Sequence, residues 1–197
     1  MNNIGSWGPV LPFAIVAIHM AHLPYDPDPL GGYKGEFVAW TQEHHEELKT
    51  LDVVLYRYNT ATQTLEQVSP YNELKNMHNN MFCAGHAYLD GLYVVGGHQD
   101  IDIGTNIADR FTYNPAADKW NWIQLPVMIK ERWYPTAIPT PNLKIGIFGG
   151  SHGKNSEGDP IYVEQHEIYD PATSTFTEIP ANDKNLGYYL CTQSPSR

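Results

Sequence analysis

One cysteine and one tyrosine are the side chains whose surroundings indicate chemistry in this sequence. Cys83 lies in the segment Met-Phe-Cys-Ala-Gly-His, and Tyr134 lies in the segment Glu-Arg-Trp-Tyr-Pro. Each segment runs into a strand-like stretch that ends in a double glycine, at 96–97 and at 149–150. When a thiol and a phenol meet at a copper ion, oxidation can join them into a thioether-linked phenol, a one-electron redox group. Such chemistry requires a fold that brings the starts of the two segments together.

An internal repeat indicates that fold. Similar eight-residue units, an aromatic followed by Asn or Asp and ending in an apolar residue, begin at Tyr58, Tyr113 and Tyr169. These tyrosines are 113 − 58 = 55 and 169 − 113 = 56 residues apart, and the glycine pairs recur after 149 − 96 = 53. A period of this size fits a four-stranded propeller blade and is close to the kelch spacing of about 50 residues. Because blade starts converge on the propeller axis, the Cys83 and Tyr134 segments can meet there.

Each part of the repeat has a mechanical role. The double glycine predicts a strand end where backbones crowd and a positive φ is needed. The aromatic-Asn/Asp unit predicts a hairpin whose flanking aromatics pack between neighbouring blades. Short apolar or alternating runs predict strands at 53–56, 92–95, 144–148 and 167–169. One helix is predicted, at 43–51.

The repeat predicts three blades in one domain that spans 1–197. The blades cover 7–68, 82–124 and 134–179, and a fourth begins at 187–197. Propellers close with about four to eight blades, and an open set leaves unpaired strand edges. We therefore expect an all-β chain, a kelch-like β-propeller fragment that forms the N-terminal part of a longer protein.

The composition excludes several classes of function. With 12 basic and 22 acidic residues among 197, the formal net charge is 12 − 22 = −10, which argues against nucleic acid and anionic membrane surfaces as partners. The apolar stretch at 13–18 is too short to span a bilayer, and no Lys or Arg precedes it, so we identify no signal peptide. The two cysteines, Cys83 and Cys191, do not fix the redox compartment; we interpret Cys191 as structural.

Three segments carry a resemblance to a known family. Gly-Ser-Trp-Gly-Pro at 5–9, Met-Phe-Cys-Ala-Gly at 81–85 and Arg-Trp-Tyr-Pro at 132–135, with Gly-Gly-Ser after it, resemble the copper-radical oxidases. Those are galactose oxidase and, more closely, the glyoxal oxidase branch, and the resemblance covers nearly the whole chain. It implies a seven-bladed propeller with copper on its axis, and an extracellular protein that is a monomer when full length. It also implies oxidation of a small aldehyde or primary alcohol by O₂, with hydrogen peroxide as the product.

The resemblance assigns roles to individual residues. By matching motif, Cys83 is the thioether partner, and Tyr134 is the copper ligand and radical site. The aromatic that stacks on the radical cofactor of galactose oxidase follows Gly-Gly-Ser, and this position is His152 here. The family's remaining copper ligands come from a Tyr-His pair and a later His, and this sequence contains no Tyr-His dipeptide. We therefore expect no turnover from this chain alone.

The oxidation needs these residue types because copper cycles by one electron and the substrate loses two. A ligand that stores the second electron meets this need, as organic cofactors do elsewhere, and phenolate and imidazole ligands suit Cu(II). Plainer interpretations exist for both residues: a lone cysteine is usually a small buried hydrophobe, and a tyrosine is often an interface aromatic. The alternative function is accordingly a non-catalytic kelch-type propeller that binds a protein or a carbohydrate.

Other polar residues are weaker candidates. His86 lies near Cys83 in the sequence and is a candidate for a supporting contact at a metal site. Arg132 could orient a carbonyl or carboxylate substrate, or could pair with a surface acid. Five further histidines favour loop, surface or structural roles: His19, His22, His44, His45 and His78.

Overall fold

The structure is a computed structural model that describes residues 10–11, 13, 17–24, 33–41, 53–68, 74 and 80–179. Several sequence predictions lie outside the described residues. They are the Gly-Ser-Trp-Gly-Pro segment, the helix at 43–51 with its two histidines, His78, Cys191 and the start of a fourth blade at 187–197.

Within the described residues the chain is all-β, as predicted, with sixteen strands and no helix. Sheet I contains β1 (His19–Leu23), β2 (Tyr33–Trp40), β3 (Val53–Asn59) and β4 (Thr64–Gln67). Sheet II contains β5 (Gly85–Tyr88), β6 (Leu92–Val95), β9 (Ala108–Asn114) and β10 (Lys119–Gln124). Sheet III contains β11 (Thr136–Pro139), β12 (Ile145–Phe148), β15 (His166–Asp170) and β16 (Thr175–Ile179). In this part of the chain no helix has the length and apolar character of a membrane span.

Each sheet is an antiparallel meander of four strands in chain order. Sheets II and III each carry an extra hairpin between their second and third strands. These hairpins are β7 (His98–Asp100) with β8 (Ile103–Gly104), and β13 (Ser151–Lys154) with β14 (Pro160–Tyr162). Both hairpins therefore extend from the end of their sheets at which β5 and β11 begin. Cys83 and Tyr134 lie at this same end, just before these two strands.

Strand β6 shows how the alternation of side chains builds the core. Leu92 and Val94 pack against residues of sheet I, whereas Tyr93 and Val95 pack against residues of sheet III. All four are buried because successive side chains of a strand point to opposite faces and both faces are covered. The continuous apolar run in the sequence is thus explained by a sheet that lies between two others.

The predicted hairpins form, and the same side-chain chemistry closes all three. Asn59, Asn114 and Asp170 each accept a hydrogen bond from the backbone N–H two residues on, over 2.9–3.0 Å. Such a contact holds a turn locally. The flanking aromatics pack between sheets as expected, since Tyr169 and Phe176 join the core that sheet II shares with sheet III.

The double glycines adopt the conformation that the sequence predicted. Their φ angles are positive at all four positions: 69° at Gly96, 145° at Gly97, 61° at Gly149 and 85° at Gly150. A Cβ atom on Gly150 would lie 2.9 Å from the carbonyl oxygen of Trp133. The glycine therefore lets the segment before Tyr134 approach the end of β12.

The connection from sheet II to sheet III is held by a buried ion pair. The side chains of Arg132 and Glu167 are both fully buried, and their Nη2 and Oε1 atoms are 2.8 Å apart. Arg132 also donates to the carbonyl oxygens of Gly149, over 2.6 Å, and Gln165, over 2.8 Å. The Glu167 carboxylate accepts the backbone N–H of Ile129 over 2.7 Å. Arg132 therefore pairs with a buried acid rather than with a surface acid, and its completely buried side chain is not open to a substrate from solvent.

The same connection joins the two extra hairpins through the backbone. Arg132 forms an antiparallel bridge with Thr105, the residue after β8, and Trp133 forms one with Ser151 at the start of β13. The Ser151 hydroxyl donates to the carbonyl oxygen of Asp102 over 3.1 Å, and Lys154 and Asp102 form a salt bridge of 3.2 Å. Residues 132–134 are thus fixed between the hairpins rather than left as a free loop.

Glu167→Gln tests the buried ion pair. The amide keeps the shape of the side chain but leaves the Arg132 charge without a counter-charge in a buried site. We expect the free energy of unfolding to fall by about 3–5 kcal/mol, measured by urea denaturation. As a control, Lys144→Met breaks the partly exposed Lys144–Asp170 pair and should cost only about 0–1 kcal/mol. Equal losses in the two variants would contradict the role of the buried pair.

Gly104→Ala tests the close approach of β8 to the connection. An added Cβ would overlap the backbone of Arg132, so we expect a loss of about 1–3 kcal/mol from overpacking and a displaced Trp133. The readout is the indole N–H resonance of Trp133 in an NMR spectrum. Gly158→Ala is the control for backbone strain without a steric overlap, because Gly158, unlike Gly104, has a positive φ of 89° and no atom within 4 Å of its Cβ position. An unmoved Trp133 resonance in Gly104→Ala would show that the contact does not hold the segment.

Candidate active site

Cys83 and Tyr134 lie against each other although 134 − 83 = 51 positions separate them. The backbone N–H of Tyr134 donates to the carbonyl oxygen of Cys83 over 2.8 Å. Their side chains also lie close enough for the thiol and the phenol to shift each other's pKa. The contact arises because β5 and β11 are neighbouring first strands, and each residue lies just before one of them.

Both residues adopt the left-handed conformation, with φ of 61° at Cys83 and 55° at Tyr134. Side chains other than glycine rarely do so, and such strain collects at functional sites. Cys83 is completely buried, whereas the Tyr134 side chain is 54% exposed. The thiol therefore lies beneath a phenol ring that is open to solvent.

The environment keeps both groups in their neutral forms. Burial raises the pKa of the Cys83 thiol, and the side chain of Tyr134 offsets part of this effect. The hydrogen bond to Cys83 is the main cause of the raised pKa of Tyr134, and burial adds to it. A cation that binds the phenol oxygen must therefore displace its proton.

The turn at 80–84 is shaped by Asn80. Its side-chain oxygen accepts the backbone N–H of Phe82 over 3.1 Å, and its carbonyl oxygen accepts the backbone N–H of His98 over 2.9 Å. The indole Nε1 of Trp40, from sheet I, donates to the carbonyl oxygen of Met81 over 3.1 Å. The turn is thus fixed by sheet I on one side and by strand β7 on the other.

A histidine from sheet I contacts Cys83 directly. The backbone N–H of Cys83 donates to Nε2 of His19 over 3.1 Å. The His19 ring stacks on Trp40, with centroids 5.1 Å apart and planes at 9°, and the ring of His86 lies 6.0 Å away. Burial, with a smaller contribution from His86, lowers the pKa of His19 to about 4. The sequence predicted no site at His19, because its spacing to His22 is helical in a stretch interpreted as strand or loop.

His86 packs in the same cluster of rings as His19 and Trp40. Its ring lies 5.2 Å from that of Trp40, and burial lowers its pKa. The supporting role predicted for His86 stays a prediction.

The ring that the structure places against Tyr134 belongs to Trp133. Their centroids are 4.6 Å apart at an angle of 67°, and Nε1 of Trp133 donates to Nδ1 of His98 over 3.2 Å. His152 instead lines a polar groove together with Lys130, Glu131 and Tyr162. The cofactor contact predicted for His152 stays a prediction.

The described residues supply part of a metal site at most. Within them, no three His, Cys, Asp or Glu side chains lie together in a way that could hold a metal ion. The exposed phenol of Tyr134 is the one predicted ligand that this region presents, with the buried thiol behind it. This arrangement can form a carbon–sulfur bond or offer a phenolate to a metal that other groups complete.

Comparison with known proteins supports the fold. No protein-family model matches the chain, and no curated protein matches it. A fungal alcohol oxidase of the AA5 family, solved in complex with copper, is similar in structure, with 20% sequence identity, a TM-score of 0.53 and coverage of 89% of this chain. The structure of YjhT is less similar, with 12% identity, a TM-score of 0.47 and coverage of 63% of this chain and 37% of the other.

The match to the fungal oxidase covers 32% of that protein, so the present chain spans about a third of its length. At this identity the likeness concerns the fold alone, and it agrees with the kelch-like β-propeller predicted from the repeat. The chain described here therefore has the fold of part of a β-propeller of the kind found in a copper alcohol oxidase.

Proposed function

We propose that this chain is part of a copper-radical oxidase in which Cys83 and Tyr134 are joined by a thioether bond. The observation that carries the proposal is the close approach of these two residues between sheets II and III, where the backbone N–H of Tyr134 donates to the carbonyl oxygen of Cys83 over 2.8 Å and the thiol and phenol shift each other's pKa. In this proposal the three sheets are successive blades of one propeller domain, and a fourth blade begins at 187–197.

The arrangement of exposure supports the proposal. A thioether partner must reach the phenol ring but need not reach the substrate, and Cys83 is completely buried. A copper ligand must be open to the metal, and more than half of the Tyr134 side chain is exposed. A residue that serves only packing has no need of an exposed phenol in a strained backbone conformation.

Copper fits the residues present as a partial site. Tyr134 would bind the ion through its phenol oxygen, and phenolate oxygen suits Cu(II). Copper, when bound, supplies one-electron redox chemistry. Within this chain, Cys83 would tune the phenol through the thioether, and Trp133 packs edge-on against the phenol ring. A complete copper site would also require imidazole ligands, and the reaction would require a base that accepts the substrate proton.

The proposed reaction oxidises a small primary alcohol or aldehyde. An alcohol loses two electrons and two protons, becomes the aldehyde, and O₂ takes up both to give hydrogen peroxide. An aldehyde reacts with water and O₂ to give the acid and hydrogen peroxide. Extracellular location and a monomeric full-length protein belong to the same proposal, because both follow from the family resemblance.

Formation of the thioether tests the proposal. Joining the Cys83 sulfur to the Tyr134 ring breaks the S–H bond and one ring C–H bond, and releases two protons and two electrons that O₂ accepts. We expect the purified chain, incubated with Cu(II) in air, to yield a crosslinked 83–134 peptide that lacks two hydrogens in the mass spectrum. Cys83→Ala and Tyr134→Phe should each abolish this product.

Two matched variants control this experiment. Cys191→Ala removes the second cysteine of the chain, and Tyr162→Phe removes another exposed tyrosine, so both should still form the product. Failure of the unsubstituted chain to crosslink would favour the alternative, a non-catalytic kelch-type propeller that binds a protein or a carbohydrate.

A further inference from the structure

We propose that His19 is a positioning residue that holds Cys83 in the conformation that turns its sulfur toward Tyr134. The inference rests on the function proposed above, because its consequence is the rate of thioether formation. His19 does not touch Tyr134 among the described contacts and acts through the backbone of Cys83.

The backbone N–H of Cys83 needs a partner. The residue is completely buried and lies in a turn before β5, outside the ladder of sheet II. A buried N–H without an acceptor is unfavourable. Nε2 of His19, at 3.1 Å, is the acceptor that the structure provides.

His19 is suited to accept this bond. Its pKa is lowered to about 4, so the ring is neutral at ordinary pH, and acceptance at Nε2 places the ring proton on Nδ1. The stack on Trp40 and the edge contact with Phe82, at 6.3 Å between centroids, restrain the ring. The acceptor atom is therefore held in one direction.

Cys83 is held on both sides of its α-carbon. Its N–H bonds to His19 of sheet I, and its carbonyl oxygen accepts the N–H of Tyr134. The two bonds fix the peptide planes around a residue whose φ of 61° is strained. Loss of the His19 acceptor frees one plane, and the residue can relax to a conformation that moves the sulfur away from Tyr134.

Two substitutions separate this role from simple core packing. His19→Leu replaces the ring by an apolar side chain of intermediate size and removes the Nε2 acceptor. His19→Gln also removes the ring but places an amide oxygen at the position of Nε2, the same number of bonds from the backbone. His22→Leu is the matched control, because His22 lies on the same strand and its ring packs on Phe37 instead.

The experiment measures two quantities in the full chain. The first is the rate of Cu(II)-dependent formation of the 83–134 crosslink, followed by mass spectrometry. The second is hydrogen exchange at the Cys83 amide, followed by NMR without copper. Urea denaturation confirms that each variant is folded under the assay conditions.

We expect His19→Leu to crosslink about tenfold more slowly, which corresponds to roughly 1.4 kcal/mol in the activation barrier. Its Cys83 amide should exchange at least about tenfold faster, in line with the loss of one hydrogen bond. His19→Gln should restore most of the crosslinking rate and most of the protection of the Cys83 amide. His22→Leu should behave as the unsubstituted chain.

The inference is overturned if folded His19→Leu crosslinks at the unsubstituted rate, or if the Gln and Leu variants are equally impaired. Failure of the proposed function gives a different result, in which the unsubstituted chain does not crosslink at all. In that case the hydrogen exchange of the Cys83 amide still tests the inference. Protection that is lost in His19→Leu and kept in His19→Gln supports the positioning role, and equal exchange in the two variants rejects it.

Discussion

The buried guanidinium of Arg132 is the constraint on which the arrangement of the site depends. A charged side chain that is completely withdrawn from water needs hydrogen-bond partners, and each of the three guanidinium nitrogens of Arg132 donates to Glu167 or to a carbonyl oxygen. Glu167 in turn accepts backbone N–H groups at 129 and 130. A buried ion pair of this kind is weak in net stabilisation but costly to break. We interpret the ion pair as an interaction that restricts residues 129–134 to a single conformation. Tyr134 is the last residue of this segment.

Cys83 is held in a different way, because its backbone N–H and its carbonyl oxygen form hydrogen bonds with residues outside its own sheet. Sheet I reaches it through His19, and the connection before sheet III reaches it through the N–H of Tyr134. Sheet I also bonds to sheet II elsewhere, since the buried Glu36 accepts from the indole of Trp120. The meeting of thiol and phenol is therefore a property of three packed sheets rather than of either strand alone.

The sequence could predict what local chemistry determines. The hairpins at Asn59, Asn114 and Asp170, the positive φ of the glycine pairs and the main strands all follow from short patterns, and the structure agrees with them. The contact of Cys83 with Tyr134 followed from one further step, the convergence of blade starts. The predicted roles of His86 and His152 came from proximity in sequence or from family position, and they remain predictions.

Contacts between distant residues could not be predicted in the same way. Nothing near Arg132 in the sequence identifies Glu167, 35 positions on, as its buried partner. The spacing of His19 to His22 did not indicate a metal site. The contact of His19 with Cys83 could not be predicted either, because it spans 64 positions. Such partners are selected by the packing of whole sheets, which a single sequence does not display.

The distance along the chain between Cys83 and Tyr134 has a further consequence for the protein as a polymer. A covalent bond between them, as the proposed function requires, would close a loop of 134 − 83 = 51 positions. Closing a loop of this size restricts the unfolded ensemble by about 4 kcal/mol on the chain-entropy model used for disulfides. The native sheets already hold the two ends together, so little of that restriction is felt in the folded state. The bond that creates a redox group would therefore also act as a staple across two sheets, and maturation and resistance to unfolding would be acquired in the same step.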